Sequence, residues 1–156
     1  QGKGLHLLLL KNKQEKKYPT QLEEASADLV LLDAPCSGLG LLARKPELRL
    51  TMTHEKMLAL YPLQQNMLDY AANLVNPGGI LVDSTCTINP DENINAIRAF
   101  INRHQDQFAF DPLSSLLPDK LLKDEALAQQ AAEGWIQLLP HCHGTDGFFI
   151  ARLRKK

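Results

Sequence analysis

The sequence predicts an α/β domain with a mostly parallel sheet and an antiparallel hairpin at its C-terminal end. Three observations support this fold class. The runs Asp28–Asp33 and Ile80–Asp83 are short and apolar, as strands buried on both faces of a parallel sheet are. A long helical pattern lies between them, which is the connection that neighbouring parallel strands require. Near the C-terminus, two more apolar runs are joined by only a short connection.

The helical pattern between the two strands runs from Thr53 to Val75. Thr53 can cap the helix, and apolar residues then recur near helical spacing. Pro62 lies inside the pattern, so the helix should be kinked or divided in two there. The sequence NPGG at Asn76–Gly79 is a strong stop signal directly before the second strand. Strand, helix and strand therefore form a right-handed crossover in a parallel sheet.

A second helix is predicted after the second strand. Asn89 suits the N-cap, Pro90 suits the first helical position, and Glu92 stands three residues after the cap. The apolar stripe of this helix continues to about His104. A short strand is then predicted at residues 108–110, where phenylalanines alternate with a smaller residue.

The C-terminal part begins with a polar, helix-prone segment, residues 119–133, to which the sequence assigns no role. Trp135–Leu139 and Phe148–Leu153 are predicted strands. Their connection is so short that the two strands must be an antiparallel pair. Among α/β folds that grow from parallel crossover units, methyltransferase-like folds end in this way.

Composition excludes several classes of protein. The chain has 156 residues, 44% of them hydrophobic, and a formal net charge of -1, which fits one globular domain over residues 1–156. No apolar run approaches the length of a membrane span or of a signal peptide, so no membrane association is expected. Cys36, Cys86 and Cys142 are too few for a disulfide framework. Free thiols predict a cytoplasmic protein.

Polar clusters follow both strands of the predicted crossover, at Asp33–Gly38 and Asp83–Thr87. Ligands bind outside the carboxyl ends of the strands in an open parallel sheet. If the two strands are neighbours, two thiols and two carboxylates converge on one crevice. Cys86 also precedes a helix N-terminus, which stabilises a thiolate and favours a nucleophilic role. The alternative is that each cysteine is a small, inert buried residue.

The sequence DAPCSG at Asp33–Gly38, followed some fifty residues later by STCT at Ser84–Thr87, resembles the RNA 5-methylcytosine methyltransferases. This is the family of the bacterial 16S rRNA cytosine methyltransferase Sun and the eukaryotic nucleolar enzyme Nop2. The resemblance continues through GLG, RKPE, NPGG, NPDEN and GTDGFF, in the order that the family uses. It covers about Asp28 to Arg154, which is most of the chain.

The resemblance implies a Rossmann-like fold, S-adenosylmethionine as cofactor, and cytosine in RNA as substrate, ribosomal RNA more than tRNA. It assigns Cys86 to add to C6 of cytosine, and Cys36 to assist the elimination that frees the product. Asp33 is placed between cofactor and base, with Pro35 beside the cofactor. The chemistry agrees, because C5 is a poor nucleophile until covalent addition makes the ring an enamine. DNA cytosine methyltransferases use a cysteine resembling Cys36 as nucleophile, so the reversed assignment stays open.

Two further groups of residues carry side chains suited to a site. Arg44 and Lys45 follow the first motif, where phosphate contact by both side chains and a structural salt bridge to Glu47 or elsewhere are equally open. The sequence HCH at residues 141–143 has no second ligand pair at zinc-like spacing, so no metal site is predicted.

Members of the family carry a glycine-rich segment of the type APGGK upstream of DAPCSG, with acidic residues for the ribose and adenine. Residues 1–27 match none of these features. The first residue is Gln1, which favours a piece of a longer protein. We therefore expect the C-terminal catalytic part of the fold, with an incomplete cofactor site that the missing N-terminal part would complete. The alternative is a non-catalytic RNA-binding or structural module derived from such an enzyme.

Overall fold

The computed structural model describes residues 6–8 and 23–156. From β2 onward, the strands and longer helices follow one another along the chain as the sequence predicts; strand β1 and the short helices in the connections were not predicted. Single turns of 3-10 helix lie at Leu39–Leu41 and Ser114–Leu116. The elements are β1 (His6–Leu8), β2 (Ala27–Asp33), α1 (Leu48–Thr51), α2 (His54–Leu74), β3 (Val75–Thr85), α3 (Ile94–Arg103), β4 (Phe108–Phe110), α4 (Asp119–Leu122), α5 (Glu125–Glu133), β5 (Trp135–Leu138), α6 (Pro140–His143) and β6 (Phe148–Lys155).

The strands form one sheet in the order β1-β2-β3-β6-β4, and β5 also pairs with β6. β1, β2 and β3 are parallel to one another, with α2 in the connection from β2 to β3. β6 runs antiparallel to β3 on one side. On its other side, β4 pairs with the C-terminal part of β6 and β5 with the N-terminal part. The predicted α/β class, the parallel crossover and the antiparallel C-terminal hairpin are confirmed.

The register of β2 and β3 determines where the predicted site residues lie. Leu32 pairs with Asp83, and Asp33 pairs with Ser84. The two strands therefore end at the same edge of the sheet, because parallel neighbours run in the same direction. The segments that carry Cys36 and Cys86 leave the sheet side by side at this edge.

Helix α2 is continuous through Pro62, so the division that was one of the two predicted effects of this proline is wrong. Pro62 lies on the exposed face. The carbonyl oxygen of Leu58, which loses its helical donor to the proline ring, can be solvated there. The start of the helix follows the prediction, since the side chain of Thr53 accepts a hydrogen bond from the backbone N–H of Lys56 at 3.4 Å.

Strand β3 begins earlier than predicted, because Asn76–Gly79 belongs to it. These residues are accommodated by a shift in register, since Ala27 pairs with Val75 but Leu29 pairs with Ile80. The side-chain amide of Asn76 also donates to the carboxylate of Asp28 at 3.0 Å. The predicted stop signal therefore ends the helix but does not separate it from the strand.

Helix α3 begins at Ile94, later than the predicted start after Asn89. Residues 89–93 form a turn in which the Asn89 side chain accepts from the N–H of Asp91 at 3.2 Å. The N-cap position falls on Asn93, without a side-chain cap. The predicted capping role of Glu92 is wrong, because its carboxylate is turned inward and buried.

The core consists of two clusters of apolar side chains. The larger one lies between the sheet and helices α2 and α3, with Leu32, Leu81, Phe100 and Phe149 fully buried in it. The smaller one joins α5 to β5, and residues 119–133, unassigned from the sequence, thus cover the far end of the sheet. Over residues 23–156, the helices are too short or too polar to cross a membrane.

Candidate active site

Two cysteine thiols meet at the carboxyl end of β2 and β3. The sulfur atoms of Cys36 and Cys86 lie 3.3 Å apart, within hydrogen-bond distance for sulfur and beyond the length of a disulfide bond. Both side chains are partly buried. Cys142 is exposed on α6 and takes no part in the pair. The predicted convergence of the two thiols is therefore observed.

Close backbone contacts hold together the three loops that surround the thiols. The N–H of Gly40 donates to the carbonyl oxygen of Cys86 at 3.0 Å, and the N–H of Gly147 donates to the carbonyl oxygen of Gly40 at 2.9 Å. A Cβ atom at position 40 would lie 2.1 Å from the carbonyl oxygen of Gly147. Only glycine allows this approach, so the loops after β2, β3 and α6 form one unit.

The hydrogen bond between the thiols makes their proton affinities unequal. It lowers the pKa of Cys86 from 9.0 to about 7, because the S–H of Cys36 donates to the Cys86 thiolate, and Lys45 adds a smaller electrostatic contribution in the same direction. The same hydrogen bond, together with burial, raises the pKa of Cys36 well above its ordinary value. Near neutral pH, Cys86 is therefore the thiol that ionises and Cys36 the one that keeps its proton.

Two carboxylates accompany the thiols, as predicted. Asp83 is 3% exposed, and its Oδ1 atom has no hydrogen-bond partner. Burial raises the pKa of Asp83 from 3.8 to about 7, with a further contribution from the charge of Asp33. Asp33 is half-buried at the end of β2 and also opposes ionisation of Cys86. Asp33 thus interacts electrostatically with both Asp83 and Cys86.

The carboxylates of Asp33 and Asp83 fit the positively charged part of a cationic cofactor. A positive group beside Asp33 and Asp83 would favour ionised carboxylates and give the unpaired oxygen of Asp83 an electrostatic partner. Pro35, also predicted at the cofactor, is half-buried. Its carbonyl oxygen accepts from the side-chain amide of Gln64 at 2.9 Å, so this oxygen already has a donor.

A buried hydrogen-bond network that sequence reasoning missed links the residues that follow the two cysteines. The carboxylate of Glu92 accepts from both the N–H and the hydroxyl of Ser37, at 2.8 and 2.5 Å. It also accepts from the side-chain amides of Gln64 and Asn89, each at 3.1 Å. The hydroxyl groups of Ser37 and Thr87 lie 2.8 Å apart. The signal in the sequence was a small hydroxyl residue directly after each cysteine.

A second set of hydrogen bonds fixes the backbone on either side of Cys86. The hydroxyl of Thr85 donates to the Asn93 side chain at 2.5 Å. The amide of Asn93 donates to the carbonyl oxygen of Thr87 at 2.9 Å and to the Gln137 side chain at 2.6 Å. Gln137 belongs to β5, so the start of α3 and the edge of the sheet both hold the Cys86 segment.

The predicted RNA-contacting residues lie in the exposed loop that follows Cys36. The guanidinium of Arg44 forms an ion pair with Asp146 at 3.1 Å, and its side chain is 76% exposed. The salt-bridge alternative is thus observed with Asp146, and not with Glu47. A pair this exposed contributes little to stability, so it does not prevent Arg44 from contacting another anion. Lys45 is also exposed.

His143 of the HCH sequence has other contacts. The Nδ1 atom of His143 accepts from the N–H of Leu139 at 2.8 Å, and its Nε2 atom lies 3.5 Å from the carboxylate of Asp124. Within residues 23–156, no three His, Cys, Asp or Glu side chains are arranged to hold a metal ion.

Similar proteins fall into one group. The chain is 39% identical over 156 residues to the probable ribosomal RNA small subunit methyltransferase B of Bacillus subtilis, with 98% of the chain and 33% of that protein covered. It is 36% identical to the ribosomal RNA small subunit methyltransferase F of Serratia proteamaculans, with 83% and 26% covered. The chain spans about a quarter to a third of the length of these relatives.

Structural similarity supports the same group. The crystal structure of NSun6 from Pyrococcus horikoshii, solved with the S-adenosylmethionine analogue SFG, matches with a TM-score of 0.63 and 30% identity. It covers 81% of the chain and 29% of that protein. The sheet is that of the Rossmann-like, S-adenosylmethionine-dependent methyltransferase fold. The family model described as 16S rRNA methyltransferase RsmB/F matches residues 2–154, and the chain therefore belongs to this family.

Proposed function

We propose that this chain carries the catalytic cysteine pair of an S-adenosylmethionine-dependent enzyme that methylates C5 of cytosine in small-subunit ribosomal RNA. The observation that carries the proposal is the 3.3 Å approach of Cys36 and Cys86 at the carboxyl end of β2 and β3. The names of the relatives support ribosomal RNA over tRNA as the substrate. The free thiols of the described residues fit a reducing compartment, and we place the activity in the cytoplasm.

The proposed reaction begins with the thiolate of Cys86. Its sulfur adds to C6 of the cytosine, and the electron pair of the C5–C6 double bond moves so that C5 becomes an enamine carbon. S-adenosylmethionine, when bound, supplies the methyl group that C5 takes up. Water then takes the proton from C5, the double bond forms again, and the bond between sulfur and C6 breaks with its electron pair left on the Cys86 sulfur. Cys36 keeps its proton and donates a hydrogen bond to the departing Cys86 thiolate, which assists release of the product.

The unequal proton affinities of the two thiols support Cys86 as the nucleophile. A pKa of about 7 gives Cys86 a substantial thiolate fraction at neutral pH. The reversed assignment needs a thiolate at Cys36, and the pKa of this thiol is raised by its hydrogen bond to Cys86 and by burial. The structure thus adds a second physical argument to an assignment that the sequence supported by resemblance and by the predicted helix start after Cys86.

The cofactor contacts in this chain are proposed for Asp33 and Pro35. The carboxylate of Asp33 lies close enough to Asp83 and Cys86 to affect the pKa of each. A cationic group of the cofactor beside Asp33 and Asp83 would be stabilised by both carboxylates. Pro35 follows in the same loop, and its carbonyl oxygen accepts a hydrogen bond from the side-chain amide of Gln64. We propose that the remaining contacts to S-adenosylmethionine come from the part of the enzyme that this chain does not span.

Exposed cations near the thiols are proposed to contact RNA phosphates. Replacing both Arg44 and Lys45 with alanine should weaken binding of small-subunit ribosomal RNA and reduce the dependence of affinity on salt, because fewer counterions are then released. Fluorescence titration at several salt concentrations measures both effects. Arg98→Ala on the exposed face of α3 is the matched control. An unchanged slope in the double variant would remove these two residues from the interface.

The test of the proposed function separates addition to C6 from methyl transfer. Small-subunit ribosomal RNA with tritium at C5 of cytosine should release tritium to water in the presence of the chain alone, because thiol addition to C6 lets C5 exchange its hydrogen. Adding S-adenosylmethionine tests the transfer step. Cys86→Ala should reduce both signals by at least about 10³-fold, since it removes the thiolate that adds to C6.

Cys142→Ala is the matched control for this test, because it removes the exposed thiol that lies outside the pair. It should leave tritium release unchanged. RNA binding without tritium release from the unsubstituted chain would contradict the enzymatic proposal for this chain and favour an RNA-binding module instead. Release that survives Cys86→Ala would exclude Cys86 as the nucleophile.

A further inference from the structure

We propose that Glu92 is a positioning residue, whose buried carboxylate holds the two cysteine loops at the spacing at which Cys36 and Cys86 meet. The inference rests on the proposed function and goes beyond it by assigning a role to a residue that does not touch the reacting atoms. Its basis is the position of Glu92 at the centre of contacts from both loops and from helix α2.

A carboxylate is unusual in a position as deeply buried as that of Glu92. Glu92 is 2% exposed, and no Lys, Arg or His in the part of the chain that the structure describes forms an ion pair with it. A buried carboxylate without a cation is costly unless hydrogen-bond donors surround it. Oε1 of Glu92 has two donors and Oε2 has three, so the charge is satisfied by the two loops and by helix α2.

Donors reach both carboxylate oxygens, and the Thr87 hydroxyl is the most distant of them, at 3.5 Å from Oε2. Oε1 accepts from the N–H of Ser37 and from the amide of Gln64. Oε2 accepts from the hydroxyl of Ser37 and from the amide of Asn89. An amide at position 92 would therefore set an NH2 group against at least two donors, whichever way it is turned.

These contacts fix Cys36 from both sides. Ser37, directly after it, is held by Glu92, while the carbonyl oxygen of Pro35, directly before it, is held by Gln64. Gln64 in turn donates to Glu92 through the same amide nitrogen. The position of the Cys36 sulfur is thus set by the carboxylate and by helix α2.

The Cys86 segment is tied to the same group through Thr87. The Thr87 hydroxyl lies 2.8 Å from that of Ser37 and accepts from the N–H of Asn89 at 3.2 Å. The hydroxyl of Ser37 donates to Glu92 at 2.5 Å, which leaves the proton of the Thr87 hydroxyl to be shared between Ser37 at 2.8 Å and Oε2 of Glu92 at 3.5 Å. Glu92, Ser37 and Thr87 therefore form one chain of hydrogen bonds from the first cysteine loop to the second.

The experiment measures the cysteine pair directly, without RNA or S-adenosylmethionine. The rate at which iodoacetamide alkylates Cys86 is followed from pH 5 to 10 by mass spectrometry of its peptide. The rate at which diamide closes a disulfide between Cys36 and Cys86 is followed in parallel; diamide takes up both thiol hydrogens, and the sulfurs move from 3.3 Å to bonding distance. Asp91→Asn, in the same turn but exposed, is the matched control.

Glu92→Gln should separate the thiols and raise the pKa of Cys86 from about 7 toward 9.0, with about tenfold or greater loss of alkylation rate at pH 7. Disulfide closure should slow by a similar factor, and Asp91→Asn should change neither rate. A folded Glu92→Gln variant with both rates unchanged would overturn the proposal. If that variant does not fold, Ser37→Ala, which removes only the hydroxyl link, decides in the same two measurements.

The outcome is independent of whether the chain methylates RNA. Slower disulfide closure and a raised pKa in Glu92→Gln, together with no tritium release from the unsubstituted chain, would uphold the positioning of the pair and refute the proposed function. Tritium release from the unsubstituted chain, together with unchanged alkylation and disulfide closure in Glu92→Gln, would uphold the proposed function and refute the positioning role of Glu92.

Discussion

Cys36→Ala is expected to leave the protein covalently attached to its RNA. In the proposed reaction, Cys86 forms the bond to C6, and Cys36, 3.3 Å away, assists its cleavage by donating a hydrogen bond to the departing sulfur. Without that donor, elimination slows while addition is still possible. The adduct should accumulate on labelled ribosomal RNA and resist denaturing electrophoresis, whereas Cys86→Ala should form none.

The same substitution should shift the pH dependence of adduct formation. Loss of the Cys36 donor raises the pKa of Cys86 from about 7 toward 9.0, so the thiolate fraction at pH 7 falls up to about 50-fold and recovers by pH 9 to 10. Adduct formation by Cys36→Ala should therefore be slow at pH 7 and approach the initial rate of the unsubstituted chain at high pH. Cys36→Ser keeps a hydrogen-bond donor, so its rate of adduct formation at pH 7 should lie between that of Cys36→Ala and that of the unsubstituted chain.

Two outcomes would contradict this expectation. Adduct formation in Cys86→Ala that disappears in Cys36→Ala would establish the reversed assignment of the two cysteines. A Cys36→Ala variant that turns over without accumulating adduct would leave Cys86 as the nucleophile but remove Cys36 from product release.

The meeting of the two thiols could be predicted from the sequence because it depends only on strand direction. Two apolar runs joined by a helix predict parallel neighbours, and the ends of parallel neighbours lie at one edge of the sheet. The register between Asp33 and Ser84 follows from this pairing. Each motif begins at the end of a strand, so Cys36 and Cys86 come within the first few residues beyond β2 and β3.

The role of Glu92 could not be predicted in the same way. Its sequence context, three residues after Asn89, equally fits the capping box of a helix, which is a local arrangement. In the structure the carboxylate instead meets Ser37 and Gln64, which lie 55 and 28 residues away in the sequence. Such long-range donors become visible only when the loops are packed, and helix α3 begins after Glu92, at Ile94.

The protonation of the site also needed the structure. The sequence places Asp83 and Asp33 at strand ends, where either could be solvated or buried. Only the packing of β3 in the middle of the sheet makes Asp83 inaccessible, with an oxygen that lacks a partner. The raised pKa of this group follows from that burial and not from any motif.

Asp83→Asn is expected to make the chain more stable at alkaline pH. In the folded chain the pKa of Asp83 is raised from 3.8 to about 7, so its stabilising contribution is complete below 3.8 and is lost as the pH rises through about 7. Above pH 7 the folded chain must hold an ionised, buried carboxylate, which costs up to about 4 kcal/mol relative to low pH. Asparagine has the same shape and never ionises.

The readout is therefore the difference between two pH values. Urea unfolding should give the difference in free energy of unfolding between Asp83→Asn and the unsubstituted chain at each pH. This difference should favour Asp83→Asn by up to about 4 kcal/mol more at pH 8 than at pH 4. Asp91→Asn, which removes an exposed carboxylate, should follow the unsubstituted chain at both values. Parallel pH profiles for Asp83→Asn and the unsubstituted chain would mean that Asp83 is already ionised well below pH 7. A cationic partner would then have to be present in the folded chain, and the unpaired oxygen would no longer favour the binding of a cationic cofactor at this end of β3.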